Sequence, residues 1–451
     1  MFWKKKVKPH FTKESLEFKV KLLNGKEIRY VNLDNAATTT PFKGVMDFVN
    51  SSFKSYGSVH RGAGQKSEIS TKKYEATRET IRNFVGASEN NYVIFSKNTT
   101  EAINHAAELF SNFPGKILVS DIEHSSNMLP WMKYGEIMQY KTNTDCSIDL
   151  KNIECELRNS AGKVKVVAIT GASNVTGYKP QIYQIARLAH KYGALVFVDC
   201  CQLIQHQKID MRPEQDLEHI DFIAFSGHKM YASYGSGVLV GPKKFFDCVL
   251  PYQIGGGNLV YIDKNLQLKK FKTVRTHDPG SPNFAGAVAI EKSIQILEEI
   301  GFDNISKYEH RLVDYTLSKL SKIHGVKIYL SSKNVGSTIP FDIVGFDHRL
   351  VAEILAKEHG IGVRAGSFCT YEMIRKIKNI SHNEDQIISS EVDHGITKNI
   401  PGLVRASFGL VNNLEDCNRL VKAIYEIIKR GPKNYSKKYF QDQKTGEWFL
   451  L

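Results

Sequence analysis

No stretch of this sequence approaches the roughly 20 consecutive apolar residues needed to cross a bilayer, so no membrane-spanning helix is expected. Its first residues, MFWKKKVKPHF, are basic but lead into no apolar segment of the kind a secretory signal carries. Cysteine is sparse and carries no pairing pattern. The seven cysteines, at 146, 155, 200, 201, 248, 369 and 417, include no C-x-x-C, and their odd number argues against a disulfide framework. Reduced thiols, no metal site and a cytoplasmic location are the expectation. Acidic residues are in the minority, 47 against 61 Lys and Arg, which gives a formal charge of +14. The basic residues are scattered, and no helix or loop shows a continuous basic stripe interleaved with aromatics, which argues against a nucleic-acid partner. A basic field of this kind suits an anionic cofactor or an acidic protein partner. Internal repeats and low-complexity linkers are absent.

What is present is an ordinary globular composition, 42% hydrophobic and 24% charged over 451 residues, enough for one large and one smaller domain. From about residue 70 to 270, amphipathic helix-like segments alternate with short β-branched runs: YVIF (92–95), KILVS (116–120), VKVVAIT (164–170), ALVFVD (194–199), FIAFS (222–226) and GVLVG (237–241). Strands apolar on both faces and separated by helices predict an α/β domain with a mostly parallel sheet. A long amphipathic segment, 285–301, opens a second region of mixed helices and strands. The expected division is 1–42, a segment wrapping onto the small domain; 43–284, the large domain; 285–430, a small α+β domain; and 431–451, a polar tail. In that tail Trp448, Phe449 and Leu450 are free to dock on the body or on a partner.

Two chemical groups stand out. Lys229 lies in FIAFSGHKMY (222–231), where an apolar strand breaks at Ser226, Gly227 and His228 and then presents a lysine. Thirty residues upstream, a buried-looking strand ends in Asp199, at the C-terminal edge where open α/β sheets collect ligands. A Schiff-base lysine and a carboxylate that keeps a pyridinium nitrogen protonated are the two protein groups that pyridoxal phosphate requires as an electron sink. Asn98, Thr99 and Thr100 precede a predicted helix over 101–109. Their free N–H groups and hydroxyls form either a simple N-cap or a phosphate cradle, and the two roles are compatible.

With those groups come LDNAATT (33–39), SVHRG (58–62), NTTEAIN (98–104), EHSSN (123–127), ASNVTG (172–177), VDCCQ (198–202), SGHK (226–229), PGSPN (279–283), VRAGSFC (363–369) and VRASFG (404–409). In these marks, from about residue 31 to 427, the chain resembles the class V aminotransferase group of pyridoxal-phosphate enzymes. Within it, the cysteine desulfurases and selenocysteine lyases are most similar. The resemblance implies fold type I, with a large domain built on a mostly parallel seven-stranded sheet and a smaller α+β domain. It also implies a homodimer.

Residue by residue, the resemblance implies that Thr99, Thr100, Ser226 and His228 hold the cofactor phosphate, with Ser281 reaching the phosphate of the other subunit. Lys229 would carry the cofactor, Asp199 would bind its ring nitrogen, and Asn174 and Gln202 its phenolic oxygen. His124 would stack on the ring and shuttle protons. Arg405 would grip the substrate carboxylate, with a structural ion pair as the competing account, and Asn174, His60 and Arg61 would meet the substrate. Cys200 and Cys201 are assigned no chemistry. Cys369 matches the cysteine that attacks substrate sulfur, although Ser367 and Phe368 depart from the His or Cys often found before it. The segment 371–401 is longer than its counterpart and reads as an exposed loop or lid.

The implied reaction converts L-cysteine to L-alanine and captures the sulfur as a persulfide on Cys369. L-Selenocysteine is a second candidate substrate, and a sulfur-acceptor protein is the implied partner. The rival reading keeps the cofactor and drops the thiol chemistry, giving an aminotransferase, epimerase or other amino-acid lyase. A third is a non-catalytic homologue that binds a partner.

Overall fold

The structure is a computed structural model that describes residues 2–113, 115–330 and 336–451. Its centre is a seven-stranded sheet whose strands, in spatial order, are Asn91–Ser96, Gly237–Pro242, Phe222–Ser226, Leu195–Asp199, Val164–Thr170, Lys116–Ser120 and Glu136–Tyr140. Gly237–Pro242 runs antiparallel to both neighbours, and the remaining pairings are parallel. Every residue of Phe222–Ser226 and of Gly237–Pro242 is buried, as expected of strands covered by helices on both faces. The last strand, Glu136–Tyr140, was not expected from the sequence. It is an edge strand with only Tyr140 fully buried, so EIMQY carries no apolar run to announce it.

One glycine sets the geometry that matters for the site. A Cβ on Gly237 would lie 2.4 Å from the carbonyl carbon of Asn98, so the strand can pass beneath the start of helix Thr99–Leu109 only with glycine there. Beneath the sheet Trp131 is fully buried against Phe197 and Phe110.

A second, four-stranded sheet is antiparallel throughout, in the order Val326–Ile328, Thr338–Ile343, Leu403–Ser407, Arg364–Gly366. Helices Phe302–Leu320, His348–His359 and Leu414–Arg430 accompany it. The N-terminal segment joins this body: Val31–Asn32 pairs in parallel with Ile361–Gly362, Asp34 bridges to Ser407, Arg29 is ion-paired with Asp416, and Trp3 donates from Nε1 to Leu410 O at 2.8 Å.

The segment 371–401 is helical rather than a loop. It forms Tyr371–Lys378 and His382–Asp393, the second opened by a capping box between Ser381 and Glu384. That S-x-x-E signal is legible in the sequence, and it satisfies two N-terminal donors reciprocally. Helix His382–Asp393 buries none of its residues and is tied to its neighbour through the Arg375–Asp385 ion pair. The C-terminal tail folds back as a hairpin, Tyr439–Gln441 with Trp448–Leu450. Trp448 faces inward and donates to Asp347 Oδ1 at 3.1 Å, while Phe440 and Phe449 pair on the outer face. Thr397 N–H donates to Lys444 O at 2.8 Å, so the tail and the 371–401 segment are built against each other. Among the described residues no helix is long and apolar enough to cross a membrane.

Candidate active site

The parallel strands end together, and their C-terminal edge opens into a cavity of about 220 Å³. Asn98 caps helix Thr99–Leu109, its Oδ1 accepting from Glu101 N–H at 2.9 Å. The Thr99 N–H donates to Ser226 Oγ at 2.8 Å, and the Thr99 hydroxyl lies 2.6 Å from Ser226 Oγ and 2.8 Å from Cys201 Sγ. Thr99 is therefore consumed in holding the cradle together. Thr100, whose exposed hydroxyl is 2.8 Å from Ser126 Oγ, is the one that faces outward.

Asp199 ends strand Leu195–Asp199 in a buried position, and its Oδ1 accepts from Cys201 N–H at 2.9 Å, leaving the other oxygen for a ligand. Burial pushes the Cys201 thiol up to about 12 and Cys200 well above the ordinary range, so neither ionises. Lys229 and His228 leave strand Phe222–Ser226 in a short 3₁₀ turn that lines the same cavity. The His228 carbonyl is fastened to the LDNAATT segment, accepting from Thr39 N–H at 3.0 Å. Burial, then the Lys229 charge, lowers His228 to about 4.

His124 is lowered to about 4 as well, chiefly by burial and next by Lys229, with Asp199 opposing. Its Nδ1 accepts from Ser126 N–H at 3.1 Å, which fixes the neutral tautomer with the proton on Nε2. Gln202 donates from Nε2 to Ala36 O at 2.6 Å, keeping its oxygen free.

Asn174 is a junction. Its Nδ2 donates to Phe368 O at 2.8 Å, its Oδ1 accepts from Thr370 Oγ1 at 2.9 Å, and its backbone carbonyl accepts from Arg405 Nη1 at 2.9 Å. Arg405, 3% exposed, also pairs through Nη2 with Asp34 Oδ1 at 3.1 Å, and the Phe368 ring covers its guanidinium at 4.8 Å. Its buried Nε has no partner. Burial lowers Arg405 to about 10, with Asp34 opposing, so the guanidinium stays charged at neutral pH. Cys369 carries an exposed thiol, and its carbonyl accepts from both N–H and Oγ of Ser125, at 2.8 and 2.9 Å.

Thr99, Thr100, His124, Asn174, Asp199, Gln202, Ser226, His228 and Lys229 thus line one cavity, and hydrogen bonds through Asn174 join Arg405 and the Cys369 loop to it. Ser281, His60 and Arg61 are not brought there. Ser281 lines a neighbouring cavity of about 230 Å³ with Lys97, Glu101 and His277. His60 bonds Glu75 Oε1 through Nε2 at 2.7 Å, and Arg61 donates to the carbonyls of Gly256 and Gly280. Sequence reasoning missed Asp34, Ser125, Ser126 and Thr370. The first three sit inside motifs already singled out, and nothing local distinguishes them.

The description Aminotransferase class-V fits residues 31–420 as a single family match. This chain belongs to that family. Class V aminotransferases use pyridoxal phosphate, and the cavity suits it: a helix N-terminus with the outward-facing Thr100 hydroxyl for the phosphate, a buried carboxylate for the ring nitrogen, and a lysine lining the same cavity. Among its class V relatives, a probable cysteine desulfurase of Halalkalibacterium halodurans is 32% identical over 415 residues, covering 89% of this chain and 93% of that protein. One of Staphylococcus aureus is 30% identical over 413 residues, covering 89% and 92%. Among solved structures, the apo cysteine desulfurase of Thermococcus onnurineus NA1 superposes with a TM-score of 0.77 at 28% identity, covering 89% of this chain and 95% of that one. The cysteine desulfurase CsdA of Escherichia coli gives 0.74 at 26% identity, with the same coverage.

Proposed function

We propose that this class V enzyme is a cysteine desulfurase that converts L-cysteine to L-alanine and keeps the sulfur as a persulfide on Cys369. The observation that carries the reading is the exposed Cys369 on a loop bonded to Ser125, the residue between His124 and Ser126 of the Lys229 cavity, and through the Phe368 carbonyl to the cavity-lining Asn174. An aminotransferase, by contrast, has no use for a thiol held there.

Bound in the cavity, pyridoxal phosphate supplies the electron sink that labilises the substrate's Cα–H and Cβ–S bonds. Thr100, Ser226 and His228 would hold its phosphate, and Asp199 would hold its ring nitrogen. The unpartnered Nε of Arg405 offers the substrate carboxylate a donor that nothing in the chain uses. Lys229 Nζ removes the Cα proton and returns it. His124, neutral at pH 7 with its proton on Nε2, donates a hydrogen bond from that atom into the cavity and orients what is bound there. The Cys369 thiolate attacks the substrate sulfur; the Cβ–S electron pair stays with carbon, which takes a proton, and the sulfur remains as Cys369–S–SH. A thiol acceptor then takes the terminal sulfur and regenerates the Cys369 thiol. A sulfur-acceptor protein would fill that role in the cell.

The working enzyme in this reading is a homodimer, because Ser281 is outside its own chain's cavity and is free to complete the partner's. The chain divides into an arm, 1–42, a cofactor domain, 43–284, a small domain, 285–430, and the tail. Seven free cysteines fit a reducing compartment such as the cytoplasm. The test is to supply L-cysteine and a thiol reductant and to measure alanine and sulfide together. Equal amounts from the wild type, and a loss on the order of a thousandfold in Cys369→Ala with cofactor absorbance unchanged, are expected. Wild-type turnover by Cys369→Ala would remove the thiol from the reaction.

A further inference from the structure

Cys369 follows a strand of the four-stranded sheet, Arg364–Gly366, yet the groups that fix its backbone follow strands of the seven-stranded sheet. Ser125 comes just after strand Lys116–Ser120, at the first position of the 3₁₀ turn that His124 caps. Its N–H and its hydroxyl both donate to Cys369 O, at 2.8 and 2.9 Å. One residue earlier, Asn174 holds the Phe368 carbonyl at 2.8 Å. Between these anchors, Phe368 and Cys369 have φ of 57° and 55°. Two successive non-glycine residues in the left-handed region are costly, and such a conformation persists only where its surroundings dictate it. The donors on the two carbonyls are those surroundings.

We propose that Ser125 is a positioning residue for Cys369, a role that rests on the desulfurase reading. By bonding Cys369 to the turn that carries His124, it keeps thiol and imidazole in a fixed relation even if the two sheets shift against each other. The Ser125 hydroxyl is spent on the Cys369 carbonyl, whereas the substrate carboxylate is left to Arg405. Its loss therefore acts on the attack step and not on cysteine binding.

Three variants separate the possibilities. Ser125→Ala removes one donor and leaves the N–H; turnover should fall about fivefold to tenfold, the scale of one hydrogen bond, with half-saturating cysteine within about twofold of wild type. Ser125→Thr keeps the hydroxyl and should restore turnover to within about twofold of wild type. Ser125→Pro suits the first position of a helical turn after an extended residue, and His124 has ψ of 143°. It removes both donors and sets ring carbon against the Cys369 carbonyl, so turnover should drop about a hundredfold or more.

A merely structural role would not lower turnover while half-saturating cysteine and cofactor absorbance stay unchanged, and a local readout accompanies that split. Amide exchange in the peptide 366–372 should quicken in Ser125→Ala, while cofactor absorbance and exchange in 222–230 stay at wild-type values. Wild-type turnover and exchange in Ser125→Ala, or a Ser125→Thr as impaired as Ser125→Ala, would overturn the proposal; should Ser125→Pro fail to take up cofactor, these two decide it. If Cys369→Ala is inactive while Ser125→Ala and Ser125→Pro behave as wild type, this inference fails and the desulfurase reading stands. Full activity in Cys369→Ala would instead sink the desulfurase reading itself.

Discussion

The Asp34 carboxylate is bound to the Arg405 guanidinium, Oδ1 to Nη2 at 3.1 Å, and through its other oxygen to Arg364 Nε at 3.2 Å. With Nη1 on the Asn174 carbonyl, the guanidinium is held from two sides, and its buried Nε has no partner. The Asp34 pair is structural, and the unpartnered Nε leaves a donor for the carboxylate contact proposed above, so the two accounts of Arg405 are not exclusive.

Arg405→Lys cannot reproduce that planar fork. Half-saturating L-cysteine should rise about tenfold to a hundredfold, the scale of a charged hydrogen bond, with cofactor absorbance retained. Steady-state kinetics checks this; an unchanged cysteine dependence would assign Arg405 to structure alone.

Among the described residues, Lys229 is the lysine lining the cavity. The cofactor-loaded protein should be yellow, and borohydride reduction should leave the cofactor covalently attached through Lys229 Nζ, as peptide mass spectrometry would record. Attachment at another lysine would refute the assignment, and Lys229→Ala should take up no reducible cofactor.

Ser281 lies with Lys97 and Glu101 in a cavity separate from its own chain's Lys229 site. If it serves the partner's phosphate, co-expressed Ser281→Ala and Lys229→Ala chains should form mixed dimers with one complete site. Activity of the mixture should then exceed that of either variant alone, and sedimentation should show a dimer as the smallest active species. A fully active monomer would contradict a shared site.

Burial keeps His124, His228, His277 and His348 neutral, each lowered to about 4, and His105 to about 3. The unfolded chain binds these protons near pH 6.5 and the folded chain does not until pH 4 or below, so unfolding takes up protons between those values. Stability should therefore fall as pH drops from about 6.5 to 4. Glu123 has the opposite sign: burial raises it to about 8, so its contribution is complete below about pH 4.5 and lost as pH rises toward 8. Melting temperatures should decline below pH 6.5, and the stability of Glu123→Gln relative to wild type should improve as pH rises from 4.5 to 8. A flat profile would place these groups in water.

The cofactor cavity was legible in the sequence because its chemistry sits at the ends of apolar strands, where composition and position coincide: Asp199 after ALVFV, Lys229 after FIAFS. What escaped notice depends on contacts across the chain. Ser125 meets Cys369 over 244 positions and Asp34 meets Arg405 over 371, and neither serine nor aspartate announces such a role locally. The strand Glu136–Tyr140 was invisible because an edge strand needs no apolar run. Helix His382–Asp393 was hidden by polarity, since it buries nothing and only its capping box marks it, and Tyr371–Lys378 buries just Met373 and Ile374.

The pairing of Val31–Asn32 with Ile361–Gly362 has a consequence for synthesis. The first of these strands leaves the ribosome some 330 residues before the second. At roughly 5 to 20 residues per second, its backbone donors wait about 15 to 65 seconds for a partner. During that interval Val31 and Leu33, both fully buried in the finished protein, are exposed to any apolar surface in reach. The arm that carries Val31–Asn32 therefore cannot complete this pairing until its distant partner strand is made, and a chaperone's demand on that segment should be high in the interval.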